Sequence, residues 1–236
     1  MPLPKLVTPE YELILPTTKE KIKYRPFLVK EEKILIMAME TEDQKQMINA
    51  VKTIIKNCTT LKKKVDDLPT FEIEYIFLKI RSKSVGEVST VTITCPDDGA
   101  TEVTVDINLD EIEVEMPEAH DPKIQIDDNV GVIMKYPSLD TFVKNNFTVD
   151  AGAETAFDLT ASCIDQIFSG EEVWETKDVP KKEVMEFIES MDNKQFQKLQ
   201  KFFETMPKLE KVVKVTNPNT EVESEVRIEG LASFFA

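Results

Sequence analysis

The sequence predicts an α+β fold, with helical clusters and with antiparallel β-hairpins at the N-terminus, in the middle and at the C-terminus. Three observations carry this expectation. Through residues 28–84 and 138–205 apolar side chains recur at three- and four-residue steps, the period of a helix with one buried face. On both sides of "CPDDGA" (95–100) the period drops to two, as in strands flanking a bend. The end of the chain then repeats the middle hairpin, with Val215-Thr216-Asn217-Pro218 echoing Ile93-Thr94-Cys95-Pro96 at an offset of 122.

The elements follow in order. Leu3 to Pro9 is proline-rich and reads as extended chain. "YELILP" (11–16) and "KIKYRPF" (21–27) read as two short strands joined by a polar turn. "LVKEEKILIMAME" turns helical, with Leu28, Ile34, Leu35, Met37 and Ala38 as its apolar positions. A second helix begins near Glu42, carries Met47, Val51, Ile54 and Ile55 on one stripe, and stops near Asn57. Pro69 marks the start of a third, whose broad apolar face holds Phe71, Tyr75, Ile76, Leu78 and Ile80. After the hairpin from Glu87 to Ile107, "IEVEMP" and "KIQI…VGVIMKYP" predict further strands, and Leu139–Asn145 a short helix. "AETAFDLTASCIDQIF" (153–168) reads as one amphipathic helix with Phe157, Ile164, Ile167 and Phe168 on its apolar side. "EEVWETKDVP" is a strand or loop, and two helices follow, the second with Phe196, Leu199, Phe202 and Phe203 in register. After the C-terminal bend, Glu225-Val226-Arg227-Ile228 matches Glu102-Val103-Thr104-Val105 at an offset of 123. Duplication and convergent use of a common hairpin vocabulary both account for the echo.

At 236 residues the chain has ample length for a core, and 41% hydrophobic with 31% charged residues is an ordinary soluble composition. No apolar run approaches the roughly 20 residues that span a bilayer, and the N-terminus lacks a signal-peptide pattern. Three widely spaced cysteines imply no disulfide framework, so the chain reads as cytosolic. The net charge of −15 is uneven: residues 1–83 carry 16 basic against 12 acidic side chains, residues 84–236 carry 13 against 32. From Ser84 to Asp128 Lys123 is the lone base among 13 acids. Such a field repels phosphate backbones and speaks against nucleic acid. It is either a solvated acidic face or a means of steering towards a basic protein partner.

Catalytic and cofactor chemistry finds little support. Cys95, followed by Pro96 in a turn, invites comparison with a zinc knuckle, but the position three residues on is Asp98 rather than a second cysteine. The bend therefore reads as scaffold with Cys95 incidental. The six glycines stand at least 13 residues apart, which excludes phosphate-cradling loops. His120, the single histidine, reads as an exposed linker residue in "PEAHDP" with no nucleophile beside it. No catalytic, cofactor-binding or metal-ligating residue is assigned, and no cofactor is expected.

Four stretches carry a family likeness. "LPKLVTPEYELILPTTKEKIKYRPFLVKEEKILIMAMET", "INAVKTIIKNCT", "LPTFEIEYIFLKIRSKSVGE" and the closing "EGLASFF" together resemble the baseplate hub protein family of T4-like contractile-tailed bacteriophages, its small hub subunits or hub-assembly factors. The likeness is densest over residues 3–90 and the last 30, and loosest through the acidic middle. It implies a non-enzymatic protein needed to build the central hub of the tail baseplate, whose partners are other hub or tail proteins. The protein is then expected in the host cytoplasm during assembly and, if retained, in the virion tail baseplate.

The expected organisation is an N-terminal hairpin with helices (1–86), an acidic antiparallel region (87–136) and a helical region ending in a hairpin (137–236). The last of these either stands by itself or forms one compact domain with the first. Candidate partner-binding residues are Arg25, Pro26, Phe27 and Lys30, where the basic half leaves its hairpin, and Leu231, Phe234 and Phe235 at the C-terminus. Two other readings compete. One is a tail-associated metal-dependent or hydrolytic enzyme built on His120, Cys95 and nearby acids; the other is a generic acidic adaptor.

Overall fold

A computed structural model describes residues 6–41, 43–138 and 153–230. The chain forms two compact units, one from residues up to Glu115 together with those from Lys208 onward, the other from Met116 to Pro207. The fold is α+β, as expected, with antiparallel pairing throughout the described strands. The short helix expected over Leu139–Asn145 lies outside the described residues.

The first unit opens with β1 (Tyr11–Ile14) paired to β2 (Lys21–Tyr24), and buries Leu13, Leu15, Ile22 and Tyr24. Three helices follow: α1 (Val29–Glu40), α2 (Gln44–Cys58) and α3 (Thr70–Val85). Asp43 caps α2 by accepting from the Lys45 amide at 2.9 Å. Pro69 precedes α3 at a position where no amide is needed. Phe71, Ile73, Tyr75, Ile76, Phe77, Leu78 and Ile80 of α3 are all buried, so apolar side chains cover nearly its whole circumference. A helix of that kind belongs in the middle of a core. Its polar residues are bound too: Lys79 donates to the Asp110 carbonyl at 2.6 Å, and Ser82 to the Asp110 carboxylate at 2.7 Å.

The same unit holds the two hairpins that the sequence pairs: β3 (Val88–Thr94) with β4 (Glu102–Asn108), and β10 (Lys208–Thr216) with β11 (Glu223–Glu229). A third strand, β5 (Val114–Glu115), joins β10 through Lys208 and Leu209. The likeness extends to the bends. Cys95 N–H donates to the Thr101 carbonyl and Gly99 N–H to the Cys95 carbonyl; Asn217 N–H donates to Val222 and Glu221 N–H to Asn217. Gly99 and Glu221 both adopt the left-handed conformation, at φ 64° and 60°. Beyond the bend the structure corrects the alignment. Thr94 pairs with Glu102 and Thr216 with Glu223, so the equivalent offset is 121 rather than 123. Ile107 is thereby matched with Ile228, both buried, and Val105 with Val226. A slip of two keeps every side chain on its own face, so the sequence pattern alone does not detect it.

The second unit is a four-stranded sheet in the order β6 (Lys123–Gln125), β7 (Val130–Met134), β8 (Ile164–Ser169) and β9 (Glu172–Glu175). Helices α4 (Ala153–Cys163), α5 (Lys181–Glu189) and α6 (Asn193–Thr205) complete it. Its core joins Ile126, Val132, Met134 and Ile164 of the sheet region to Ala161, Val184, Ile188, Leu199 and Phe202 of the helices. Asp192 and Gln195 close a reciprocal capping box at the start of α6, at 2.8 and 2.9 Å.

The single helix expected over 153–168 is corrected here. It ends at Cys163, and Ile164–Ser169 is a strand. A register shift between Ile133 and Met134 pairs Met134 with Ile164 and Ile133 with Gln166, so one residue of β8 is left over. That bulge puts Ile164 and Ile167, three apart, on the same core-facing side. A three-residue spacing is what a helix also produces, which is why the sequence misleads. In β8, the Phe168 ring lies over Gly131: a Cβ at Gly131 would stand 2.2 Å from Phe168 Cζ.

Candidate functional site

The predicted N-terminal contact residues sit at the corner between β2 and α1. Arg25 N–H donates to the Cys58 carbonyl at 2.9 Å, extending β2 towards the end of α2. Its guanidinium donates to the carbonyls of Pro26 (2.8 Å) and Asn57 (3.0 Å) and to the Glu31 carboxylate (3.2 Å). Asn57 lies in the last turn of α2, where carbonyls have no helical partner, so the arginine caps that helix from outside. Glu31 is fully buried and reaches back to accept from the Leu28 amide at 2.9 Å. Burial opposes its ionisation, but the Leu28 amide and Arg25 outweigh it and hold the carboxyl below its ordinary value. Phe27 N–H donates to Ser84 Oγ of α3 at 2.9 Å, and Pro26 and Phe27 are half-buried. Lys30 projects into solvent, 3.4 Å from Glu31. Leu231, Phe234 and Phe235 lie outside the described residues.

Helix α1 exposes apolar side chains beside its charged ones. The side it buries carries Glu31 (0% exposed) and Ala38 (6%), whereas Val29 (80%), Ile36 (49%), Met37 (57%) and Met39 (59%) face outward. The sequence expectation placed Met37 on the apolar stripe with Leu28, Ile34, Leu35 and Ala38; Met37 and Leu28 are instead exposed. The available signal was the run "ILIMAM" (34–39) itself, since six consecutive apolar residues cannot all lie on one side of a helix.

The two bends meet. Asn217, fully buried, donates its amide to Asp97 (3.1 and 3.0 Å) and Asp98 (2.9 Å), while its own carbonyl oxygen accepts the Asn219 amide at 2.8 Å. Thr220 Oγ1 donates to Asp97 at 2.5 Å and Asn219 Nδ2 to Thr101 Oγ1 at 3.0 Å. Asp97 is held below the ordinary carboxylate range first by Thr220 and then by Asn217, and Asp98 by Thr101, Ala100 and Asn217. Sequence comparison aligned Asn217 with Cys95 without indicating that the bends touch.

The residues singled out for chemistry are held in structure. Cys95 is buried, with burial and then the Asp97 and Asp98 charges raising its pKa. Burial pushes the Cys58 and Cys163 thiols up to about 11, far from thiolates at neutral pH. Among the described residues no group of three or more His, Cys, Asp or Glu side chains is placed to hold a metal ion. His120 is not the exposed linker residue expected. It is half-buried, with its ring 4.8 Å from Phe202 and 5.5 Å from Tyr136 by centroid. Thr205 Oγ1 donates to the Lys201 carbonyl at 2.9 Å, so the hydroxyl is left to accept from His120 Nδ1, 3.0 Å away. Nε2 then carries the lone pair and is buried without a hydrogen-bond partner.

No described helix is long and apolar enough to cross a membrane. Comparison with curated proteins and with solved structures gives no match. The family model described as T4 bacteriophage base plate protein matches residues 8–236, nearly the entire length. With the match spanning both units, the chain belongs to the T4 bacteriophage base plate protein family.

Proposed function

We propose that the protein helps to build the central hub of the phage tail baseplate and acts there by binding other proteins, as a hub subunit or as a hub-assembly chaperone. The observation that carries this reading is the family match over residues 8–236. Binding rests on Arg25, Pro26, Phe27 and Lys30 at the corner between β2 and α1, and on Leu231, Phe234 and Phe235 at the C-terminus. The acidic stretch from Ser84 to Asp128 steers basic partner surfaces and opposes indiscriminate association.

Pull-down of the tagged protein from infected cells, with the bound chains identified, tests the proposal. Hub components recovered in defined ratio support it. Recovery of wedge or tail-tube proteins without hub chains overturns the hub assignment. A variant lacking residues 231–236 that remains folded is expected to lose at least part of that recovery.

A further inference from the structure

We infer that α1 is a self-association surface, which pairs antiparallel with the α1 of a second copy of this chain. Around the helix, Glu31 and Ala38 mark the side packed on the protein, with Ile34 and Leu35 half-buried beside them. Directly opposite runs a stripe of Val29, Lys33, Ile36 and Glu40, spaced at four, three and four residues, with Met37 and Met39 on its flanks. A helix apolar on both sides is normally covered on both. Methionines suit an adaptable contact, because their unbranched chains repack easily.

Charge selects the occupant. Lys33 and Glu40 stand symmetrically about a point between Ile36 and Met37, both are exposed, and neither forms an ion pair among those described. A second α1 crossing antiparallel at that point sets Ile36 against Met37 of the second copy, and Lys33 against its Glu40, twice by symmetry. A parallel crossing sets lysine on lysine and glutamate on glutamate. Residues 33, 36, 37 and 40 form the compact patch that two crossing helices share. The stripe is therefore complementary to itself in one orientation only. A single helix pair covers well under the roughly 800 Å² per partner of a standard interface, so the contact is weak alone and counts where copies are held close together.

Sedimentation equilibrium of the full chain, from about 10 µM to about 1 mM, reads this directly as a reversible monomer–dimer equilibrium at the upper concentrations. Lys33→Glu and Glu40→Lys, each alone, are expected to weaken the dimer about tenfold, since each places like charges together twice. An equimolar mixture of the two single variants is expected to associate again, because glutamates then meet lysines at both positions. Ile36→Glu should abolish the dimer while the circular dichroism spectrum stays unchanged, as the residue is exposed. A chain that stays monomeric to the highest concentration overturns the inference, as does a dimer indifferent to all three substitutions. So does a mixture no better than either variant alone. The inference is independent of the hub proposal: pull-down of hub components does not require self-pairing, and self-pairing does not identify the hub.

Discussion

Phe168 occupies the space that a side chain on Gly131 would fill, which makes this pair sensitive to a single methyl group. Gly131→Ala drives a Cβ into the ring and towards the Ile124 carbonyl, 2.9 Å away, so either Phe168 leaves its place or the strand shifts. The expected cost is about 1–3 kcal/mol, measured by denaturant unfolding. Pairing Gly131→Ala with Phe168→Ala should relieve the clash while losing the ring's cover. His120 provides a second residue-scale test, because it is the chain's only histidine. Burial lowers its pKa, with Asp121 opposing more weakly, whereas the unfolded chain titrates near about 6.5. The neutral form is the one the fold accommodates, so its contribution is complete above about pH 6.5 and is lost as pH falls below it. The melting temperature is expected to be lowered by this group between pH 7 and pH 5.5. His120→Phe should flatten that drop; an unchanged slope removes His120 as its source.

At the scale of the element, the hairpins show how a duplicated-looking motif is put to use. Each bend satisfies its own amides with the same pair of backbone hydrogen bonds, and the side chains left over bind the other bend. Asn217 is the hub of this junction, and Asn217→Ala is expected to cost about 2–3 kcal/mol, because it removes hydrogen bonds to two carboxylates from a buried position. The carboxyls of Asp97 and Asp98 are both depressed. Their contribution is thus present above the unfolded value of about 3.9 and is lost as pH falls through their folded values. Chemical unfolding of the wild-type protein should therefore become easier below about pH 4, and less steeply so in Asn217→Ala. Equal acid sensitivity in the two proteins would show that the junction contributes none of it. Helix α1 differs in kind: its inner side is fixed by the fully buried Glu31 and its pairing with the half-buried Arg25, its outer side by nothing among the described residues of its own unit.

For the whole molecule, membership of the baseplate family fixes the setting in which two compact units of one chain operate. Mass spectrometry of purified particles separates the two forms of the proposed role. A hub subunit is expected at a fixed ratio to other baseplate chains, whereas a transient chaperone is absent from particles and abundant in infected-cell extracts. Either result refines the proposal. Absence from particles combined with extracts free of hub partners would end it.

The period of the apolar residues already determined most element types, because the helix and strand periods differ enough to be read directly, as in α3, α6 and the β3–β4 hairpin. The family likeness rested on the resembling stretches themselves, and the equivalence of the two bends on the residues repeated around Pro96 and Pro218. The period failed where tertiary pairing imitates another period. The bulge in β8 spaces Ile164 and Ile167 like helix neighbours, and a two-residue slip in β11 leaves the alternation of faces intact. The sequence located Arg25 but not its role, since its partners Asn57 and Glu31 meet it only once α2 and α1 have folded back on the first hairpin. Likewise it contained the excess of apolar residues in α1, but only the packed structure decided which side of that helix is buried. A linear pattern states how much apolar surface must be covered; which neighbour covers it is a property of chain segments distant in sequence.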